Sequence, residues 1–404
     1  MSPLVTYRRL LNLAGPGYVI VAFLGRLPIA MSQLGALLLV STATGRYTAG
    51  GLTAGTLAAA NAIGAPVAGA IADRVGQRPV VLTQSLVAST ALAGLVGLVT
   101  AGASLPHVVA VAAVVGLAIP QVGPLARVRW RPMARKAGAA QPRLIDAAFS
   151  YEGAADEASF VLGPALVGVI AVLIDPGAAL LVAAGLLAVF GCWFALHPTA
   201  RIARHHVAES AALRRRLITA GLVILAAAQL LIGVIFGATQ TGTTALATLE
   251  GKAGVAGLVH ALLGVGSVIA GLSVAGLPER FGYERRLVTF AGALFLLSAP
   301  LLAVGTISAL VPVVIALGFA VAPYMITVFT LAERIVPPNR VGTAATLLAG
   351  ATGVGYALGS ALAGALADLG GYRPAFAVTV AAGAVAFLLA VIVRPRMVGA
   401  ARRH

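Results

Sequence analysis

With 60% apolar and only 10% charged residues over 404 positions, the chain has too little polar surface to stay in water as a soluble protein. A net charge of +16 raises nucleic acid as a partner, but the cations cluster in the links between apolar runs, which excludes that reading. One cysteine, Cys192, leaves no disulfide framework, and with no phosphate-loop motif, Cys/His cluster or serine elbow, neither enzyme chemistry nor a cofactor or metal is expected.

Apolar runs long enough to cross roughly 30 Å of hydrocarbon recur from end to end. In chain order the predicted spans are 14–44, 50–72, 80–101, 105–126, 155–174 and 177–197, then 217–240, 253–274, 287–304, 308–331, 342–367 and 374–393. The expected fold is therefore all-α and integral to the membrane, with twelve transmembrane helices. The first run is too long for one straight crossing, and Gly15-Pro16-Gly17 is expected to break off an interfacial piece. Alternate links hold 24 of the Lys and Arg residues, including Arg127, Arg129 and Lys136 after span 4. The other set holds only Arg46, Lys252 and Arg373. That asymmetry places the basic links and both termini in the cytoplasm, in a cell inner (plasma) membrane protein whose charges meet anionic lipid. Residues 198–216, with His205 and His206, read as a cytoplasmic linker between a six-helix bundle at 1–197 and another at 217–404.

Two features support a duplicated chain. Gly69–Arg78 reads GAIADRVGQR, and its Asp73, Arg74 and Gly76 return as Glu279, Arg280 and Gly282, each 206 residues later. Gly163-Pro-Ala-Leu-Val-Gly168 in span 5 returns as Gly359-Ser-Ala-Leu-Ala-Gly364 in span 11, at an offset of 196. Such repeats suit two halves that rock about a central site. At the turn after span 2, Gly76 is expected to adopt positive φ in a two-residue reversal. Asp73 is placed to meet the positive N-terminal end of a neighbouring helix.

Charges inside the hydrocarbon are functional candidates by default. Arg26 lies within span 1, and span 5 enters carrying Glu152, Asp156 and Glu157. At the offset of 196 these carboxylates fall on Leu348, Thr352 and Gly353, so packing a span of this type does not require them. An Arg26–Glu157 pair is the first expectation and Arg26–Asp156 the second, with a proton-coupling role that burial and a neighbouring arginine would tune. The alternative is a fixed ion pair that only locks spans 1 and 5 together. Gly163-Pro164 is expected to bend span 5 and to allow close backbone contact.

Twelve spans, a central link and the stretch Gly69, Asp73, Arg74, Gly76, Arg78 together resemble the major facilitator superfamily over essentially the whole chain. The resemblance implies two pseudo-symmetric bundles and a gate in which Asp73 meets span 11 near Gly342-Thr343, after Pro337-Pro338. It implies too that spans 1 and 5 are neighbours and that spans 1, 4, 7 and 10 line the cavity, which ranks Gln33, Gln121, Gln240 and Tyr324 as cavity residues. Span 5 resembles part of the proton-coupled exporter pattern at Gly163, Pro164 and Gly168, with Ser159 where an upstream glycine stands. The function expected is proton-coupled export of small organic molecules, drug-like or neutral, by a protein working as a monomer. The alternatives are proton-coupled uptake of a sugar or similar solute, and a sensor that does not transport.

Overall fold

The computed structural model describes residues 9–10, 12–135, 141–202, 219–274, 281–336 and 341–401. Among these there is no β-strand, and twelve helical spans follow one another in chain order. Span 1 is Pro16–Thr44, span 2 Tyr47–Val75 and span 3 Gln77–Thr100. Span 4 comes in two pieces, Leu105–Ala118 and Val122–Met133, and span 5 is Gln141–Leu173. Span 6 runs from Pro176 to Leu196, with a π-helical turn at Leu187–Gly191. Span 7 is Ala220–Leu249, span 8 Val255–Val274, span 9 Tyr283–Ser298 with a 3₁₀ turn to Leu302, span 10 Ile307–Ile335, span 11 Val341–Gly370 and span 12 Tyr372–Ala401. Eleven of the helices are long and apolar enough to cross a membrane, and the helix of span 8 is a shorter apolar one. Large side chains such as Leu173, Leu369 and Leu296 lie on the outside, where lipid replaces water as the solvent.

Several expectations are corrected. Span 1 starts at Pro16 behind Gly15 at φ +79°, which separates it from the helical residues before it, as the Gly-Pro-Gly run requires. Span 5 begins at Gln141, well before 155. The hydropathy of 141–154 is diluted by polar residues, yet Leu144 and Ala148 form a buried helical stripe against Trp130 and Met133. Span 7 runs on to Leu249: Thr241, Thr243 and Thr244 are buried, and Thr241, Thr244 and Thr248 back-bond one turn up their own helix. The turn after span 2 has one residue, not two: Gly76 alone, at φ +96°.

Span 4 breaks where the sequence reading ran straight through. Pro120 has no N–H for the Gly116 carbonyl, and it pushes Ile119 out of helical geometry to ψ 121°. Asn61 of span 2 donates to the freed Gly116 oxygen at 3.2 Å, so the polar group is satisfied inside the protein. The second piece carries Arg127 and Arg129 onto a helix rather than into a link.

The even-numbered links carry the basic residues, and the end of the molecule where they lie is called the basic end here; the opposite one is the far end. Spans 1–6 pack as one bundle around a core that includes Leu34, Leu57, Leu92 and Val115, and spans 7–12 as another that includes Leu225, Leu263, Leu317 and Leu348. The two repeated glycine segments do equivalent work in these bundles. Gly163 lies against Ala30 of span 1, and Gly359 against Val234 of span 7; Gly168 meets span 8, and Gly364 meets span 2. Span 5 is to spans 1 and 8 what span 11 is to spans 7 and 2, which is the twofold relation written in side-chain contacts.

Candidate functional site

The bundles meet through two helix pairs, spans 2 with 11 and 5 with 8, and both pairs close at the far end while spans 2 and 11 part toward the basic end. A Cβ at Gly364 would lie 2.5 Å from Tyr47 O, one at Gly55 2.8 Å from Ala357 O, and one at Gly51 would collide with Ser360 O. Backbone therefore touches backbone there. Farther along the same face the gap widens: from Gly353 the nearest atom is 3.0 Å away, from Gly350 3.8 Å, and around Gly69 nothing lies within 4 Å. Spans 5 and 8 show the same close approach, with Gly254 against Val172, Gly168 against Leu258 and Gly264 against Val161. The space between the bundles opens toward the basic end.

A carboxylate fastens the closed end. Asp368, in the last turn of span 11, accepts hydrogen bonds from the Tyr47 N–H at 2.6 Å, the Thr48 N–H at 2.9 Å and the Thr48 hydroxyl. These are the orphan donors at the N-terminus of span 2, which has no side-chain cap of its own. Asp73 stands at the other end of the same helix pair. It falls on the face of span 2 that carries Gly51, Gly55, Ala58, Ala62 and Gly69, at steps of three and four with Pro66. Asp73, Arg74 and Arg78 are exposed in this open state, and among the described residues Asp73 makes no ion pair. Pro337-Pro338, Glu279, Arg280, Lys136 and the tether with His205 and His206 lie outside the described residues.

Halfway along span 5 lies a charge network that joins spans 1, 4 and 5. Arg26 Nη2 donates to Glu152 Oε2 at 2.5 Å, and Nη1 donates to Asp156 Oδ1 at 3.1 Å. Arg127 Nη2 donates to Asp156 Oδ2 at 2.6 Å, and Trp130 Nε1 donates to Glu152 Oε1 at 2.7 Å. The Arg26 and Glu152 side chains are 2% and 0% exposed, and each nitrogen of Arg26 donates within this network or to the Ala22 and Glu152 carbonyls. Asp156 takes the expected second place as an Arg26 partner. The expected first pair, Arg26–Glu157, is not formed. Glu152 and Asp156 are four residues apart on the face toward span 1, whereas Glu157 is turned about 100° away.

Glu157 instead shares the face of Val161, Pro164 and Gly168, which packs on span 8 at the far end. One turn below the Val161–Gly264 contact, its side chain is exposed. The Gly163-Pro164 segment does not interrupt span 5. Gly163 admits Ala30 on one side, while Gly257 of span 8 abuts the Pro164 carbonyl on the other.

The expected cavity residues fare unevenly. Tyr324 is buried against Ile224, Leu287, Ala386 and Ala390 in the interior of the second bundle and donates to Ala228 O at 3.2 Å. Gln240 is buried too, its Oε1 accepting from the Tyr356 hydroxyl of span 11. Neither reaches the open space, because both point across helix interfaces within their bundle. Gln33 and Gln121 are half-buried, and Gln121 sits at the break in span 4, donating to Asn61 Oδ1 at 3.4 Å.

Arg127, Arg129 and Asp368 went unselected by sequence reasoning, and Glu152 was named among the candidate carboxylates but not as the Arg26 partner. For Glu152 the signal was present, since its spacing to Asp156 puts both on one face. Arg129, read as a link cation, is fully buried: it donates to Gln77 Oε1 at 2.9 Å and Phe194 O at 2.9 Å and lies 3.6 Å above the Phe194 ring. It ties the turn containing Gly76 to the end of span 6.

The paired helices and the Gly69–Arg78 turn point to one family. A model described as Major Facilitator Superfamily matches residues 18–348 and 251–404. The chain belongs to the major facilitator superfamily. It is a transporter of that superfamily rather than an enzyme. Solved superfamily-like structures share the fold. The nucleoside transporter NupG aligns with a TM-score of 0.74 at 15% identity, covering 94% of this chain and 98% of that one. A peptide transporter POT in complex with sulfate gives 0.69 at 14%, covering 95% of each chain. A bacterial homologue of the iron transporter ferroportin in an inward-facing state gives 0.66 at 18%, covering 93% and 98%. No curated protein sequence matches the chain.

Proposed function

We propose that this superfamily member is a proton-coupled secondary transporter that exports small organic molecules by alternating access. The observation that carries the reading is the pair of helix interfaces in close backbone contact at the far end and wider toward the basic end on span 2, with a carboxylate, Glu157, that makes no ion pair among the described residues. The excess of Lys and Arg makes the basic end cytoplasmic, with both termini there, so the state described faces inward. The rocking units are residues 1–197 and 217–404, joined by 198–216, and one chain in the plasma membrane suffices for function. In the outward-facing state Asp73 takes over at the N-terminus of span 11 what Asp368 does at the N-terminus of span 2. Each carboxylate thus fastens one gate of the same helix pair.

Glu157 is the proton carrier. Arg26 and Arg127 pair directly with Glu152 and Asp156, while among the described residues Glu157 makes no ion pair. Export is supported by the Gly163, Pro164 and Gly168 pattern of span 5. Nucleosides and peptides, carried by transporters of the same fold, mark the size of cargo expected.

Reconstitution tests this. In proteoliposomes, a pH gradient imposed acid on the extracellular face should drive a drug or metabolite out of the cytoplasmic side, and counterflow should persist without a gradient. Glu157→Gln should abolish gradient-driven movement while leaving counterflow at saturating load. Coupling that survives this substitution removes Glu157 as the proton site. Cargo moving in the same direction as the proton would make the protein an uptake symporter, and binding without exchange would make it a sensor.

A further inference from the structure

The break in span 4 leaves a hydrogen-bonding group that the fold itself does not use. The Gly116 oxygen, freed by Pro120, can only accept, so Asn61 presents Nδ2 to it at 3.2 Å and keeps Oδ1 on its other side. Oδ1 in turn can only accept, so Gln121 presents Nε2 to it, at 3.4 Å. The chain of two carboxamides therefore ends on Gln121 with an acceptor, Oε1, and a second N–H left over. Gln121 stands at the N-cap of the second piece of span 4, yet its side chain caps nothing, and among the described residues it bonds to Asn61 alone. We infer that this carboxamide is a cargo subsite for neutral molecules that carry a lactam or imide edge, an N–H beside a C=O, on an apolar body.

The pair faces inward. On span 2, Ala58 and Ala62 meet Gly353 of span 11, while Leu57 and Gly64 meet Gly116 and Leu117 of span 4. Asn61 lies between those two faces, and Ile63, 63% exposed on the outer surface, lies about 160° round the helix from it. A half-buried side chain there draws its exposure from the space that spans 2, 4 and 11 enclose, and Gln121, half-buried as well, meets that space beside Asn61. Two residues beyond Gln121, Gly123 lies against Asp156, which sets the carboxamides at the depth of the charge network. Ala58 and Ala65, about one turn to either side of Asn61, add no polar side-chain atom, which suits an apolar body. Neither carboxamide is charged, so an ionised cargo group would give up its water there without a counter-ion. A lactam edge answers both leftover valences, donating to Oε1 and accepting from Nε2. Cargo without that edge leaves them unmet when water is expelled on closing.

The subsite serves cargo only if this space is the transport route proposed above, and binding and exchange report on the two separately. The probes are primidone and cyclo(Leu-Phe), neutral ring lactams with an aromatic body, each paired with its N,N′-dimethyl derivative, which keeps the ring and loses the N–H. Equilibrium binding to the purified full-length protein should be saturable for the lactams and about tenfold weaker for the dimethyl forms. Gln121→Leu should lower lactam affinity about tenfold and leave the dimethyl forms unaffected, so that the ratio between the two falls to near one. A merely structural role for Gln121 would move both probes together. Equal affinity for a lactam and its dimethyl form overturns the subsite, a comparison that needs no variant. So does a ratio that survives in Gln121→Leu, or the absence of saturable binding for both lactams. Counterflow of cargo lacking such an edge in proteoliposomes, without lactam binding, would keep the transporter and overturn the subsite. Lactam binding that depends on Gln121, without any exchange, would keep the subsite and overturn transport.

Discussion

At the scale of single residues, two carboxylates five positions apart on span 5 face opposite tests. Glu152 is fully buried with a guanidinium and an indole N–H as partners, so removing Arg26 strands a charge in a dry interior. Arg26→Gln should lower the unfolding free energy by about 3–5 kcal/mol, read as an earlier thermal transition of the purified protein. The double variant Arg26→Gln with Glu152→Gln should lose less than the sum of the two singles, since it removes both charges together. Glu157→Gln should change stability by no more than about 0.5 kcal/mol, because no protein group depends on it. His197, just past span 6, provides a pH handle. Burial first and the Arg129 charge second depress its pKa below the ordinary 6.5. Its ring Nδ1 faces the Thr199 N–H at 3.4 Å and hydroxyl at 3.0 Å. The folded protein then binds this proton less readily than the unfolded chain does. Its stability contribution is complete above the unfolded pKa and is lost as pH falls through and below it. His197→Gln should flatten that part of the acid-stability curve.

Much of this network was legible from residue type. Charged residues in an apolar run are conspicuous, and a spacing of four between Glu152 and Asp156 assigns them a common face. The choice of partner was not legible, because a helix turn of 100° decides it and the azimuth of span 5 relative to span 1 is set by the Gly163–Ala30 contact, which no charge pattern reveals. Arg129 was misread because hydropathy ends a helix where arginine begins. Here the helix runs on, and an aromatic face with backbone carbonyls shelters the cation.

At the scale of the elements, glycine and proline govern how spans approach. The gate helices touch through main-chain atoms at Gly51, Gly55 and Gly364, so a branched side chain there acts as a wedge. Gly55→Val should prevent far-end closure and shift the population toward the opposite state. Cysteine pairs across spans 2 and 11, introduced in a Cys192→Ala background, should then cross-link less at the far end and more at the basic end. Gly69→Leu should do the reverse, since the space around Gly69 is empty now and must be filled on closing. The repeated glycine segments were visible in the sequence and their equivalent packing follows from them. The break in span 4 was visible too, in Pro120, but a window of hydropathy averages over it. Only the side chain that answers the freed carbonyl, Asn61, required the three-dimensional arrangement.

At the scale of the whole molecule, the prediction concerns populations. Asp368 gives about 0.3–1 kcal/mol to the far-end seal through the span 2 terminus, so Asp368→Asn should tilt the balance between the two states by a few-fold. Asp73→Asn should tilt it the other way, slowing transport while protein abundance stays near normal. Unchanged transport would remove Asp73 from the gate. The fold was legible at this scale because membrane length, cation asymmetry and repeats all act on the whole chain. Which state the chain occupies was not, since both states satisfy the same pattern.

Rocking carries the span 5 network through part of the membrane voltage, where each unbalanced elementary charge contributes about 2.3 kcal/mol per 100 mV for a full crossing. Arg26 and Arg127 cancel Glu152 and Asp156, so that group moves without electrical work. What remains is the charge of Glu157, which a bound proton would cancel in the proposed cycle. Only a crossing made with Glu157 bare would then do work against the field, and a clamped potential would speed or hold back that crossing alone.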